Sequence, residues 1–123
     1  MNGNPIGWFE VYVQDMDRAK QFYETVFQVK LDKLGGPDMG MWAFPTNMER
    51  YGAGGSLVKM EGVPSGGNST LVYFSCEDCA VEEGRVAKSG GRVDRSKFSI
   101  GEYGFICLVH DTEGNMIGLH SMQ

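Results

Sequence analysis

The same short pattern occurs twice in this chain, half a chain apart, and no other feature limits its fold as tightly. Val13-Gln14-Asp15-Met16-Asp17-Arg18-Ala19 closes an apolar run and opens a helical pattern. Cys76-Glu77-Asp78-Cys79-Ala80-Val81-Glu82 does the same in the second half, and three strand-like stretches follow each copy. Neither copy of such a unit can bury its apolar face alone, so the two must pack together. The concave surface between two such halves is where a ligand would sit.

Residues 6–13 alternate. Phe9, Val11 and Val13 fall on one face, with Trp8, Glu10 and Tyr12 on the other. Asp15 or Asp17 can cap the next helix, whose apolar stripe is Ala19, Phe22, Tyr23, Val26 and Phe27. Strands are expected over 29–34, 39–44 and 54–60. The segment after them contains Pro64 and several Gly and Ser residues and reads as a linker. Residues 70–76 then repeat the first strand, with Val72, Phe74 and Cys76 opposed to Leu71, Tyr73 and Ser75. Asp78 caps a second helix that Gly90-Gly91 closes. Strands follow over 92–98, 103–110 and 115–121, the last two joined by the hairpin Asp111-Thr112-Glu113-Gly114-Asn115. The expected class is α+β. Two βαβββ modules, residues 1–61 and 70–123 with a linker over 62–69, form a curved mixed sheet around a cavity in one domain.

Composition removes several function classes. The 123 residues carry a net charge of −5, and the Lys and Arg residues are scattered. No basic stripe exists to displace counterions from phosphates, which argues against nucleic acid. No apolar run approaches the roughly 20 residues that cross a bilayer. Met1-Asn2-Gly3-Asn4-Pro5 lacks the basic and apolar parts of a signal peptide. Three cysteines give no paired disulfide framework and fit a reducing cytoplasm.

The stretch Val11 to Ala19, with Phe22-Tyr23 one turn on, and the closing Asp111-Thr112-Glu113-Gly114-Asn115-Met116-Ile117 carry a resemblance. They resemble the vicinal oxygen chelate superfamily, which holds glyoxalase I, bleomycin-resistance proteins and extradiol dioxygenases. Its usual form is a strand ending V-x-D-hydrophobic, a helix with F-Y and a D-P-D-G-N hairpin; Thr112 replaces the usual Pro. Members that use a metal place His, Glu or Gln at four inward positions. The resemblance puts those positions at Trp8, at Leu71, at Gly118 and within 54–58, where no such side chain stands. It therefore implies a divergent member with no metal and no cofactor. The fold itself hosts many functions, and its members commonly form homodimers.

His120 lies two residues after Gly118 and Glu10 two after Trp8, so both are expected to face the cavity. A His and a Glu at one site could form an acid–base pair or hydrogen-bond a polar ligand. The plainer reading is a satisfied histidine near the C-terminus and a hydrated carboxylate at the rim. Trp8, Tyr12, Leu71, Tyr73, Trp42, Tyr103 and Phe105 are the candidate ligand wall, the alternative for each being core. Cys76 and Cys79 have C-x-x-C spacing, but no second pair exists for zinc, and ordinary buried or capping cysteines are expected. Gly52 to Ser56 lacks the Lys-Ser/Thr ending of a phosphate loop. The expected function is binding of a small organic molecule in a metal-free cavity by a cytoplasmic protein. The alternatives are a metal-independent lyase or isomerase using Glu10 and His120, and a metal-dependent lyase or dioxygenase with a shifted ligand register.

Overall fold

The computed structural model describes residues 3–123. Met1 and Asn2, part of the amino-terminal stretch read above for a leader, lie outside the described residues. The first module holds β1 (Trp8–Tyr12), α1 (Met16–Phe27), β2 (Asp32–Lys33), β3 (Met41–Ala43) and β4 (Gly54–Val58). The second holds β5 (Val72–Ser75), α2 (Cys79–Val86), β6 (Arg92–Ser99), β7 (Phe105–His110) and β8 (Met116–Ser121). Each module forms its own four-stranded sheet, in the orders β1-β4-β3-β2 and β5-β8-β7-β6. In both, the first strand runs parallel to the last and the other pairs are antiparallel. The repeat in the sequence is thus a repeat in topology. The expected α+β class with two βαβββ modules is what forms; each module curves its own sheet, and neither closes into a barrel.

Local chemistry explains the elements. The Asp15 carboxylate accepts a hydrogen bond from the Arg18 N–H at 3.1 Å and opens α1. Ala19, Phe22, Tyr23 and Val26 are fully buried, as their three- and four-residue spacing requires. The helix ends at Gln28, whose φ of +54° is left-handed. The Asp78 carboxylate accepts from the Ala80 N–H and opens α2. A 3₁₀ turn over Ala87–Ser89 prolongs that helix to Gly90, where φ is +94° and glycine costs least.

The two helices pack on each other, and the covered faces of both sheets feed one core. Val11 and Val13 join Leu57, Cys107, Val109, Ile117 and Leu119 there, with the stripe of α1 and with Val86 of α2. Phe74 stacks on Phe27 with ring centroids 4.6 Å apart and meets Phe9 edge-on at 5.8 Å. Burial of each large side chain of this kind stabilises by roughly 1.5–3 kcal/mol, so neither module could give up the other cheaply.

A polar clasp accompanies the apolar one. The Tyr23 hydroxyl donates to Asp111 Oδ2 at 2.6 Å, and Asp111 also accepts from the Glu113 and Asn115 backbone N–H groups and from Asn115 Nδ2. Glu113 reaches back to the start of α1, where it accepts from the Gln14 and Asp15 N–H groups and from the Arg18 guanidinium. The hairpin of the second module therefore completes the helix cap of the first.

Several strands are shorter than the alternation predicts. Residues 29–34 were expected to pair, but only Asp32–Lys33 do. Leu31 is drawn into the core, and the N–H groups of Val29 and Leu31 donate to the Glu24 carbonyl and carboxylate instead. Thr70 and Leu71 stay outside β5 because the Asn68 amide occupies the Thr70 carbonyl and both backbone groups of Met116. Gly104, at φ +103°, ends the alternation before β7 and leaves Tyr103 in a 3₁₀ turn over Gly101–Tyr103.

Candidate ligand site

Strand alternation turns Trp8, Glu10 and Tyr12 away from α1, since Val11 and Val13 enter the core. The three side chains interact along the strand. The Trp8 indole N–H donates to Glu10 Oε2 at 3.2 Å, and the Tyr12 hydroxyl donates to Glu10 Oε1 at 2.8 Å. That hydrogen bond, with some burial and the Glu10 charge, raises the Tyr12 pKa above its ordinary value. Among the described residues no Lys, Arg or His pairs with Glu10. On the neighbouring strand Ser56 pairs with Glu10. Gly55 and Leu57 face the core, so Ser56 shares the open face with Glu10. Its hydroxyl is buried and has no hydrogen-bond partner. An unmet buried hydroxyl is unusual enough to mark a position.

The second sheet presents Tyr73 and Ser75 of β5 beside Gly118 and His120 of β8. The Tyr73 ring lies over Gly118, and a Cβ there would run into it. His120 Nε2 lies 2.7 Å from the Tyr103 carbonyl. A carbonyl only accepts, so Nε2 carries the proton and Nδ1 is left as the other ring nitrogen. Tyr73 and Tyr103 are both exposed.

The structure thus brings Trp8, Glu10 and Tyr12 together on one sheet, and Tyr73, Tyr103 and His120 on the other. It does not assemble the expected acid–base pair. Glu10 and His120 belong to different sheets and share no hydrogen bond among the described residues. Leu71 lies just before β5 and is half-buried. Two of the expected wall residues are corrected. Trp42 pairs with Leu57, which puts its ring on the helix-covered face against the core, with the Lys20 ammonium 4.4 Å from its centroid. Phe105 shares the face of Cys107 and Val109, packs on the same core and lies 4.7 Å from the Lys97 ammonium.

A groove of about 270 Å³ runs between β1 and the linker. Glu10 and Tyr12 form one side, the linker from Pro64 to Thr70 the other, and Met116 one end. Sequence reading missed this groove because its walls are far apart in the chain. Gln14, Ser65, Asn68 and Asn115 pin the linker to β1 and β8, and their scattered amides and hydroxyls were the only available clue. The C-x-x-C thiols are not poised for redox work. Burial, then the Glu82 carboxylate, pushes Cys76 up to about 12, and Cys79 is fully buried.

The residues do not supply the four-ligand set that the resemblance implies for metal-using members. The four family positions offer Trp8, Leu71, a glycine covered by the Tyr73 ring, and Ser56 as the only oxygen donor of β4. Glu10 and His120 are the one carboxylate and the one imidazole on the open faces of these strands, two donors where the metal-using members have four. Among the described residues no group of three or more His, Cys, Asp or Glu could hold a metal ion.

Comparison with known proteins agrees with this geometry. The family model described as Glyoxalase/Bleomycin resistance protein/Dioxygenase superfamily matches residues 5–119. A search of the curated proteins found no match. Among solved structures, TnmS3, an antibiotic binding protein from Streptomyces sp. CB03234, is 25% identical with a TM-score of 0.69, covering 100% of this chain and 99% of its own. A glyoxylase/bleomycin resistance protein/dioxygenase domain from Frankia sp. EAN1pec is 17% identical with a TM-score of 0.74, covering 99% and 100%. A glyoxalase I mutant from Zea mays is 22% identical with a TM-score of 0.73, and the match covers 95% of this chain but 46% of that one. The repeated βαβββ topology, the hairpin at Asp111 and the match over residues 5–119 agree, and the chain belongs to the glyoxalase/bleomycin resistance protein/dioxygenase superfamily.

Proposed function

We propose that this protein binds a small organic molecule on the open faces of its sheets, without a metal. The observation that carries this reading is the row Trp8, Glu10, Tyr12. A carboxylate is held in a fixed orientation between two aromatic groups, and no Lys, Arg or His among the described residues pairs with it. Aromatic surface with a few oriented polar groups suits compact, partly apolar ligands. Tyr73, Tyr103 and His120 offer a comparable set on the second sheet. The likeness to an antibiotic binding protein favours binding over turnover.

A thermal-shift screen tests the proposal. Aromatic small molecules at about 1 mM are expected to include ligands that stabilise the fold, by about 2.7 kcal/mol when present at a hundred times Kd. Trp8→Ala is expected to remove the effect. A screen with no hit at that concentration overturns the reading.

We further propose a homodimer in the cytoplasm, where the three free cysteines stay reduced. Apart from the ligand wall, Met48, Tyr51 and Met122 stand exposed, and a second copy would cover such apolar surface. Sedimentation at about 50 μM, well above the Kd of a stable dimer, is expected to give the mass of two chains. The mass of one chain rules the dimer out.

A further inference from the structure

The groove between β1 and the linker has a one-sided charge. Among the described residues Glu10 is its only charged lining residue, and no Lys, Arg or His lines it. Each Glu10 oxygen accepts one neutral donor, from Trp8 and from Tyr12, which leaves lone pairs on both for a further donor. Those two hydrogen bonds also fix the carboxylate, so a ligand need not order it. Tyr12 lines the groove beside Glu10, and aromatic rings attract cations, while Trp8 holds the carboxylate from the other side along the strand. Tyr12, Pro64, Val72 and Met116 supply apolar contact, and the Ser69 and Thr70 hydroxyls line the far wall. Ser56, paired with Glu10, keeps a buried hydroxyl without a partner on the same face.

These features select one chemistry. An anion would meet an unneutralised carboxylate. A neutral molecule would gain nothing from the charge and would have to match the desolvation of Glu10 by shape alone. A protonated amine satisfies the free lone pairs of Glu10 and sits against the Tyr12 ring. The volume of about 270 Å³ limits the ligand to about one ring, since pockets for drug-sized molecules run from roughly 300 to 1,000 Å³. We infer that the groove between β1 and the linker binds a compact organic ammonium, seated on Glu10 beside Tyr12. The inference rests on the binding function proposed above and names the ligand class and the place for it. Because the linker walls the groove, an occupant would also tie the two modules together.

The test uses three probes of one shape and different charge: benzylammonium, benzyl alcohol and benzoate. Binding is read on the whole chain by the shifts of the Trp8 indole and the Gly66 and Gly67 amide resonances. Benzylammonium is expected to move all three and to bind about tenfold more tightly than either other probe, as a desolvated charge pair should. Its affinity is expected to fall several-fold between about 20 mM and 500 mM salt, because the attraction is screened. Glu10→Gln keeps shape and one acceptor oxygen and is expected to lose about tenfold for benzylammonium and with it the preference over benzyl alcohol. If that variant does not fold, the salt series on the wild-type chain and Tyr12→Leu decide the matter. Equal affinity for benzyl alcohol, salt-independent binding or no shift with benzylammonium each overturns the inference. Hits in the wider screen alongside any of those outcomes would leave the binding function standing and remove only the ammonium. A silent screen would remove both.

Discussion

Asp111→Ala is expected to lower the unfolding free energy by about 3–5 kcal/mol, the largest effect of any single polar substitution in this chain. The carboxylate is 4% exposed and accepts four hydrogen bonds. Truncation leaves the Tyr23 hydroxyl, itself wholly buried, without an acceptor. It also strips two backbone N–H groups of the hairpin. Each buried donor left unmet costs about 1–3 kcal/mol, and the losses do not add fully because the hairpin can relax. Against a typical total of about 5–15 kcal/mol the result is a chain near the edge of folding. Urea titration reads it as a drop in midpoint at constant slope. Tyr23→Phe removes one of the same bonds and is expected to cost about 1–2 kcal/mol. A change below about 1 kcal/mol in Asp111→Ala would mean that the hairpin does not depend on its central acceptor.

The second large effect is an acid transition centred on Glu113. Its side chain is wholly covered, and burial alone would favour the protonated form. Hydrogen bonds from Arg18, Thr112 and the Gln14 and Asp15 N–H groups outweigh burial and hold its pKa down to about 2, from an ordinary 4.5. The folded pKa lies below the unfolded one, so the stabilisation is complete above about 4.5 and disappears as pH falls through the folded value. At about 1.4 kcal/mol per unit the shift corresponds to about 3 kcal/mol. The urea midpoint should therefore fall steadily from about pH 5 to pH 2. Glu113→Gln should be less stable at neutral pH and nearly flat across that window. A variant that follows the wild-type curve would assign the acid transition to other carboxylates.

The repeat, the helix stripes and the face of β1 were legible in the sequence because each rests on a local period. Phe9, Val11 and Val13 against Trp8, Glu10 and Tyr12 is a period of two with enough turns to read. Trp42 was not legible for the opposite reason. Its strand has three residues, too few to show alternation, and its face is set by pairing with Leu57. Phe105 was placed with Tyr103 on a ligand wall, whereas the left-handed Gly104 breaks the strand between them. Glu10 and His120 were each assigned to an open face from local period alone, and each does lie on one. Whether two such faces meet depends on how the sheets pack, and side-chain period carries no trace of that. The clasp of Glu113 on the start of α1 and the unmet hydroxyl of Ser56 arise from contacts between distant segments.

Gly118 and the Tyr73 ring that lies over it bear on how this chain could change its chemistry. A carboxylate introduced at 118 would meet an occupied space, and shortening Tyr73 alone would leave that space bare. Each first step is unrewarded without the second. A carboxylate at this place therefore needs two coupled substitutions, one at Gly118 and one at Tyr73, and a lineage that changes one residue at a time meets a barrier there.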